Sequence, residues 1–216
     1  MAHGRSLLLI FTDKEWKNNI MNMDKKLIDK VKENGIMKSE EYSPLNSEQT
    51  VPYLREESEK WMNSLTDEET RSIMKYTKNS GDPADNKFYD RLNSALRNGD
   101  ELSENMKKHT DNLSNAISKF NLTHDIECYR SDSKDHYPDL KSGDTFISKG
   151  FLSTSAAKSG TLKGKYKTTI QVPKGSKGAY IEKLSKYPGQ REFLLDRNTE
   201  LRILEKTSTN MRVEVI

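Results

Sequence analysis

The sequence predicts an α+β fold, in which helices occupy the first part of the chain and strands the second. Apolar residues recur at helical spacing up to about residue 120, whereas short strand-like runs follow from Asp125 onward. Helices grouped before strands indicate the α+β class rather than the alternating α/β class. Aromatic and β-branched residues cluster in the second half, which argues against disorder there.

An amphipathic helix is the first predicted element, with the apolar residues of 16–31 on one face and Gly35 as its end. The polar, breaker-rich stretch from Ser39 to Pro52 then predicts a junction. We therefore divide the chain into an N-terminal helical extension, residues 1–52, and a main domain, residues 53–216.

Four more helices are predicted in the main domain before the strands begin. One fits Leu54–Met62, and the next starts at the capping box Thr66-Asp67-Glu68-Glu69. The third covers about 88–98, with Gly99 as its end, and Ser103 caps the fourth. Their apolar stripes are best explained as core-facing surfaces.

Seven strands are predicted in the remainder of the chain, because runs rich in apolar and β-branched residues alternate with turn-forming residues. We place them at about 125–130, 145–154, 167–172, 178–182, 191–196, 199–205 and 211–216. Arg130 and Ser153 then lie near the ends of the first two strands, and Glu192 lies near the start of the fifth.

The composition excludes several classes of protein. Lysine and arginine number 36 against 33 for aspartate and glutamate, and the net charge of +3 is too small to indicate a nucleic-acid or stable membrane partner. The single Cys128 excludes an internal disulfide, and no cysteine–histidine spacing fits a metal site. No apolar run approaches the ~20 residues of a membrane span, and Leu7–Phe11 is too short for a signal-peptide core.

Three polar motifs at predicted strand ends are the candidate functional residues. Gln190 and Glu192 stand two apart at the start of a strand, which predicts that both side chains point to the same side. They would offer an amide that donates and accepts beside a carboxylate that only accepts. Arg130 ends the first strand, and Ser153-Thr154-Ser155 ends the second. Each motif alone is typical of a solvated strand end, so the argument depends on their order along the chain.

In this order the motifs resemble those of bacterial mono-ADP-ribosyltransferase toxins of the arginine, Ser-Thr-Ser and Gln-x-Glu class. From about Tyr53 to its end, the chain resembles the clostridial-type exoenzymes that modify an asparagine of Rho GTPases. Lys186–Glu192 resembles the toxin turn-turn loop of that family, and Val172–Ile181 resembles the segment before it. Tyr76-Thr77 and Leu92–Arg97 resemble the helical segments that line the NAD site.

The resemblance implies an α+β fold with a mixed, mostly antiparallel β-sandwich core, and it makes residues 53–216 the catalytic domain. Glu192 would stabilise the oxocarbenium-like ribose of NAD, and Ser153 would hold Glu192 in its working rotamer. Arg130 would bind the pyrophosphate, because a guanidinium fork matches phosphate oxygens. Arg97 would add a phosphate contact, although a cation at a helix C-terminus is almost as well explained by the helix dipole. The predicted cofactor-binding residues are Asn93, Arg97, Arg130, Ser153, Lys165 and Glu192.

The resemblance also implies that the loop before Glu192 recognises the acceptor. Gln190 would orient the acceptor amide, and Tyr187 would contact the partner GTPase, with an ordinary turn aromatic as the alternative. Arginine-specific relatives carry glutamate at the position of Gln190, so glutamine indicates asparagine or another neutral acceptor. The chain departs from the family at Leu162, where an aromatic is usual, and at Lys165, where an arginine is usual; Tyr166 could substitute for the aromatic.

We therefore expect an enzyme that transfers ADP-ribose from NAD to an asparagine of host Rho-family GTPases, with NAD glycohydrolase activity as a side reaction. NAD is the expected co-substrate, and no metal is expected. Three alternatives stay open: the same chemistry on another protein or a guanine base, the enzymatic subunit of a binary toxin, and a non-catalytic binding module. By the same resemblance, we expect a secreted monomer that acts in the host cell cytosol.

Overall fold

Four helices precede the sheet in the part of the chain that the computed structural model describes, residues 41–79 and 86–216. They are α1 (Ser47–Met62), α2 (Asp67–Tyr76), α3 (Phe88–Asn98) and α4 (Glu104–Ser118). All four belong to the unit formed by Tyr42–Ile216. The helix predicted over 16–31 lies outside the described residues. None of the described helices is long and apolar enough to cross a membrane.

Helix α1 begins earlier than the sequence predicts. The Asn46 side chain accepts hydrogen bonds from the backbone of Glu48 and Gln49, and the Gln49 side chain accepts one from the backbone of Asn46. This reciprocal cap starts the helix at Ser47, so the prediction of a breaker-rich junction up to Pro52 was wrong in this part. The helix tolerates Pro52 at the loss of one backbone donor, and it crosses the predicted domain boundary after residue 52.

Three other helix ends predicted within the described residues are confirmed. At the start of α2, the Glu69 carboxylate accepts from the Thr66 backbone at 2.7 Å, and the Thr66 hydroxyl accepts from the Glu69 backbone at 3.2 Å. Gly99 ends α3 in the left-handed conformation, with φ of 76°. The Ser103 hydroxyl caps α4 through the backbone of Met106.

Eight strands follow the helices. They are β1 (Ile126–Asp132), β2 (Thr145–Ser148), β3 (Leu152–Ser155), β4 (Tyr166–Val172), β5 (Gly178–Tyr180), β6 (Glu192–Leu195), β7 (Thr199–Lys206) and β8 (Asn210–Val215). The single strand predicted over 145–154 is wrong, because the chain turns at Gly150 and forms β2 and β3 instead. The backbone of Phe151 donates to the Asn93 side chain at 2.9 Å, which holds this turn against α3.

The strands form one mixed sheet in the order β2-β7-β8-β4-β1-β3-β6-β5. Every neighbouring pair is antiparallel except β4 and β8, which are parallel. The α+β class, with helices first and a mostly antiparallel sheet, is therefore confirmed. Strands β1 and β3 pair only at Tyr129 and Ser155, so this narrow junction joins a five-stranded group to a three-stranded group.

Aromatic side chains connect the helices to the strand that carries Glu192. The Trp61 indole of α1 donates to the backbone oxygen of Ala116 in α4 at 2.7 Å. Its ring packs edge-on against Phe120 at 5.8 Å between centroids, and Phe120 packs against Phe193 at 6.0 Å. Because Phe193 is fully buried and follows Glu192 directly, the core supports β6 from the helical side.

Candidate active site

Glu192 and Ser153 lie on the paired strands β3 and β6. Ser153 is opposite Leu194 and Ser155 is opposite Glu192, so Ser153 and Glu192 are diagonal neighbours. The Ser153 hydroxyl lies close enough to the Glu192 carboxylate that hydrogen bonding between them lowers the pKa of the carboxyl group. The two side chains are therefore neighbours, and the role of Ser153 in holding the rotamer of Glu192 stays a prediction.

The Glu192 carboxyl group is almost completely buried, with 8% of the residue exposed. Burial raises its pKa from 4.5 to about 6, because a charged carboxylate loses solvation in the protein interior. The hydrogen bond from Ser153 and the positive charge of Arg130 act in the opposite direction and lower the pKa. At neutral pH the group is thus mostly ionised.

Two residues of the helical half, Tyr76 and Asn93, form a chain of contacts that ends at the Ser153 hydroxyl. The Tyr76 hydroxyl at the end of α2 lies 3.4 Å from the Ser153 hydroxyl oxygen, and the Asn93 amide of α3 donates to the same tyrosine oxygen at 2.8 Å. The Asn93 carbonyl oxygen accepts from the Phe151 backbone. The predicted role of Asn93 in cofactor binding is untested, and its amide is already used by two protein groups.

Arg130 is held by two residues of the sheet. Its Nε and Nη2 atoms donate to the Asp132 carboxylate at 2.8 and 2.6 Å, and its Nη1 atom donates to the backbone oxygen of Ser153 at 2.9 Å. Sequence reasoning missed Asp132, although the spacing of two residues on β1 places both side chains on the same side of the strand. The guanidinium is therefore fixed beside the strand that carries Ser153.

Gln190 reaches the site by a different route from the predicted one. It ends a 3-10 turn over Pro188–Gln190, and β6 starts only at Glu192. Arg191 between them is left-handed, with φ of 49°, so the alternation of side chains along a strand does not apply. The predicted strand geometry at Gln190 is therefore wrong. Gln190 and Glu192 nevertheless line one cavity, and Tyr187 is 39% exposed at the start of the turn.

A cavity of about 490 Å³ lies over these groups, within the usual range for small-molecule sites. The predicted site residues that line it are Asn93, Arg97, Arg130, Ser153, Tyr187, Gln190 and Glu192. Lys165 does not line it: its ammonium lies 5.2 Å from the centre of the Tyr166 ring, and Tyr166 itself lines the cavity. Leu162 also lines the cavity and is 65% exposed. No group of acidic, histidine or cysteine residues in the described ranges could hold a metal ion.

Sequence reasoning missed further lining residues in the loop after β1. His136 and Tyr137 line the cavity, and the His136 Nε2 atom lies 3.5 Å from an Asp132 oxygen. Tyr89 of α3 also lines it. Its spacing of four from Asn93 is the signal that could have identified it, because residues four apart share a helix face.

The cavity therefore combines a buried carboxylate, a hydroxyl and a fixed guanidinium, which together can bind a phosphorylated sugar and stabilise positive charge on it. The sequence model of a family described as ADP-ribosyltransferase exoenzyme matches residues 53–215. The chain belongs to the ADP-ribosyltransferase exoenzyme family. The predicted resemblance to bacterial mono-ADP-ribosyltransferase toxins is thereby confirmed.

Two curated relatives resemble this exoenzyme domain. The NAD(+)--arginine ADP-ribosyltransferase EFV of Enterococcus faecalis (strain ATCC 700802 / V583) is 32% identical over 161 residues, which are 67% of this chain and 30% of the relative. The NAD(+)--protein-arginine ADP-ribosyltransferase Tre1 of Serratia proteamaculans (strain 568) is 28% identical over 149 residues, which are 68% of this chain and 30% of the relative. The chain thus spans about a third of the length of these relatives.

Two solved structures share the fold of this exoenzyme domain. Plx2a from Paenibacillus larvae has a TM-score of 0.67 and 23% identity, over 80% of this chain and 98% of that chain. C3stau2 from S. aureus, solved with NAD, has a TM-score of 0.65 and 21% identity, over 82% of this chain and 99% of that chain. At these identities the likeness shows the fold alone.

Proposed function

We propose that this chain is a mono-ADP-ribosyltransferase that transfers ADP-ribose from NAD to a protein side chain. The observation that carries the proposal is the convergence of Glu192, Ser153 and Arg130 at one cavity. Membership of the exoenzyme family supports the same activity. A binding module without activity would have no need to keep a carboxylate buried at a cost in solvation.

In the proposed reaction, the bond between the nicotinamide nitrogen and the ribose carbon breaks, and the electron pair leaves with nicotinamide. The ribose gains oxocarbenium character, as in glycoside hydrolysis. The acceptor nitrogen then forms the new bond to the same ribose carbon, and its proton passes to solvent. The Glu192 carboxylate accepts a hydrogen bond from a ribose hydroxyl and stabilises the developing positive charge. Ser153 and Tyr76 position Glu192 and do not act as nucleophiles.

The NAD pyrophosphate is assigned to Arg130 and Arg97, which both line the cavity. Arg130 keeps its bonds to Asp132 and Ser153, so its orientation is set before NAD binds. Lys165 does not line the cavity, so its side chain would have to extend across the Tyr166 ring to contact NAD. Water in place of the acceptor gives NAD hydrolysis, which we propose as the side reaction.

For the acceptor we propose an asparagine of a Rho-family GTPase. The enzyme would be secreted and would act on this GTPase in the host cytosol. Gln190 is neutral and lines the same cavity as Glu192, so it can hold an amide without requiring a cation. Tyr187 is exposed at the start of the same turn and can contact the GTPase surface. An amide is a poor nucleophile, so orientation by Gln190 is the main contribution that the enzyme can make.

Arginine is the second candidate acceptor, because both curated relatives are named as arginine ADP-ribosyltransferases. To separate the two, the enzyme is incubated with NAD and purified Rho-family GTPases or a host-cell lysate, and modified residues are located by mass spectrometry. ADP-ribose on asparagine supports our proposal, and ADP-ribose on arginine replaces it. Failure of the wild type to cleave NAD or to modify any protein would reject the transferase function itself.

A further inference from the structure

A long stretch of the chain beside the site is free of acidic residues. From Ser153 to Ile181 the sequence contains six lysines and neither aspartate nor glutamate. The whole chain of 216 residues has 33 acidic residues, so a stretch of this length without one is unusual. Residues 156–165 of this stretch join β3 to β4 and include Lys158, Lys163 and Lys165. Such a local excess of one charge contrasts with the net charge of +3.

This lysine-rich loop packs directly against the turn that holds Gln190. A Cβ atom on Gly160 would lie 2.4 Å from the backbone oxygen of Gln190, which shows how closely the two backbones approach. The guanidinium of Arg191 also donates to the Ser159 hydroxyl at 3.1 Å. Any acceptor that reaches Gln190 must therefore face the loop as well.

We call Lys158, Lys163, Lys186 and Arg191 the basic rim. The three lysines are exposed, and Lys186 directly precedes Tyr187 in the acceptor turn. Within the described residues, none of the three lysines has a carboxylate at ion-pair distance, whereas Lys60, Lys107 and Lys119 elsewhere on the surface each do. The Lys158 ammonium lies 5.2 Å from the centre of the Tyr129 ring.

We propose that the basic rim docks an acidic surface of the protein acceptor next to Gln190. The inference rests on the proposed transferase function and adds the chemistry of the acceptor face to it. Unpaired lysines around the reacting position attract an acidic partner, speed its association and orient it. Exposed Tyr187 and Leu162 at the cavity provide the apolar contacts that protein interfaces combine with such charges.

A protein surface fits these observations better than a membrane or a nucleic acid. The whole chain carries little net charge, so attraction is confined to the neighbourhood of the site. Lys186 and Arg191 flank the turn that holds Gln190, and Lys158 and Lys163 belong to the loop that packs against this turn. Partners that bind the basic rim must therefore present negative charge close to the modified side chain.

The test compares the wild type with K158Q/K163Q/K186Q, which removes three rim charges and leaves the cavity residues intact. The matched control is K60Q/K107Q/K108Q, which removes three exposed charges from α1 and α4. One readout is kcat/KM for a Rho-family GTPase at low and high salt, with NAD hydrolysis measured in parallel. The other is binding of short labelled polyglutamate and polyglutamine peptides.

We expect the rim variant to lose about ten-fold in kcat/KM for the GTPase at low salt, within the range that electrostatic steering produces. High salt should erase the difference, and NAD hydrolysis should stay unchanged. Polyglutamate should bind the wild type and the control variant, bind the rim variant about ten-fold more weakly, and inhibit transfer competitively. Polyglutamine should bind none of them.

Equal polyglutamate binding by the rim and control variants would overturn the docking inference, whatever the acceptor proves to be. A second result would also overturn the docking inference: the rim variant no longer binds anionic vesicles or RNA, but it modifies the GTPase as fast as the wild type. The rim would then bind another class of partner. If the wild type binds polyglutamate through the rim but modifies no protein, the proposed function fails and the acidic docking surface stands.

Discussion

At the scale of single residues, the site depends on keeping a charge on a carboxyl group that is buried. Burial raises the pKa of Glu192 to about 6, and the hydrogen bond from Ser153 together with the charge of Arg130 limits the rise. The group is ionised at pH 7, but it is near enough to its pKa to respond to mild acid. Buried carboxyl groups with raised pKa values are typical of sites that handle developing charge.

The first prediction concerns Glu192→Gln. The amide keeps the size of the side chain but cannot offset positive charge on the ribose, so we expect NAD hydrolysis and transfer to fall together by about 10²- to 10³-fold. Stability should be unchanged or slightly higher, because a buried ionisable group is removed. Steady-state kinetics and thermal unfolding measure both. Glu200→Gln, an exposed change of the same type, is the control and should leave the rates unaltered.

The second prediction concerns pH. Activity should rise as the pH increases through about 6, because only the ionised form of Glu192 stabilises the transition state. Stability should change in the opposite sense. The folded-state pKa lies above the unfolded value of 4.5, so this group stabilises the fold below about pH 4.5 and the contribution is lost as the pH rises through 6, by about 2 kcal/mol in total. Denaturant titrations of the wild type and of Glu192→Gln between pH 4.5 and pH 6 isolate the contribution of Glu192 to the free energy of unfolding. If the free energy of unfolding changes with pH in the same way in both proteins, this prediction is contradicted.

At the scale of elements, a partly buried ion pair holds the base of the acceptor loop. Arg55 of α1 donates to both carboxylate oxygens of Glu182, at 2.7 and 2.8 Å, and only 10% of the Glu182 side chain is exposed. The pair keeps the pKa of Glu182 below its usual value, first through the hydrogen bond from Arg55. Farther along the loop, the backbone of Lys186 donates to the Thr77 hydroxyl at the end of α2. Both contacts fix the loop to the helical half.

The third prediction follows for Arg55→Met. Removing the guanidinium leaves Glu182 without its partner, so we expect the free energy of unfolding to fall by about 1–2 kcal/mol. Hydrogen exchange over residues 182–190 should increase, and transfer should fall more than NAD hydrolysis. Lys183→Met is the matched control, because Lys183 and Glu59 form an exposed ion pair between the same two elements. It should change stability by less than about 0.5 kcal/mol. An equal loss of both activities in Arg55→Met would contradict a specific effect on the acceptor loop.

Most element types were predictable, because helical periodicity and caps are local signals. The capping box at Thr66 and the glycine after α3 are examples. The start of α1 was not predictable, because Pro52 and the polar residues before it indicate a loop more strongly than the cap at Asn46 indicates a helix. The break between β2 and β3 depends on Asn93, which is 58 residues from Phe151 in sequence. Contacts at such separations leave no pattern in a single sequence.

The candidate site shows the same division. Motif order pointed to Glu192, Ser153 and Arg130, and all three line one cavity. The hydroxyl of Tyr76 behind Ser153 was not predictable, because that contact joins a helix end to a distant strand. Gln190 shows the opposite case: it lines the same cavity as Glu192, although the assumed strand geometry was wrong.

At the scale of the whole molecule, the cavity is lined by residues from the helices and from both groups of strands. A ligand that fills it contacts elements that are otherwise joined by a narrow junction between β1 and β3. Binding to the folded state alone raises apparent stability in proportion to the logarithm of ligand concentration. The position of the site thus couples occupancy to the stability of the entire domain.

The fourth prediction is that NAD raises the midpoint of thermal unfolding, by an amount equivalent to about 2.7 kcal/mol at a hundred times its dissociation constant. Arg130→Lys should lose most of this effect, because lysine cannot bond both oxygens of Asp132 and the backbone of Ser153 at once. Differential scanning fluorimetry with Glu192→Gln, in which binding should persist without turnover, provides the reference. An unchanged NAD response in Arg130→Lys would remove Arg130 from the binding site.

Strand β8 lies between β7 and β4, close to the middle of the sheet, although it is the last of the eight in chain order. Until residues 210–215 have arrived, β4 and β7 expose unpaired edges and part of the cavity wall is missing. The cavity can therefore be completed only after β8 has taken its place between β7 and β4, so these few residues control when a ligand can first be bound.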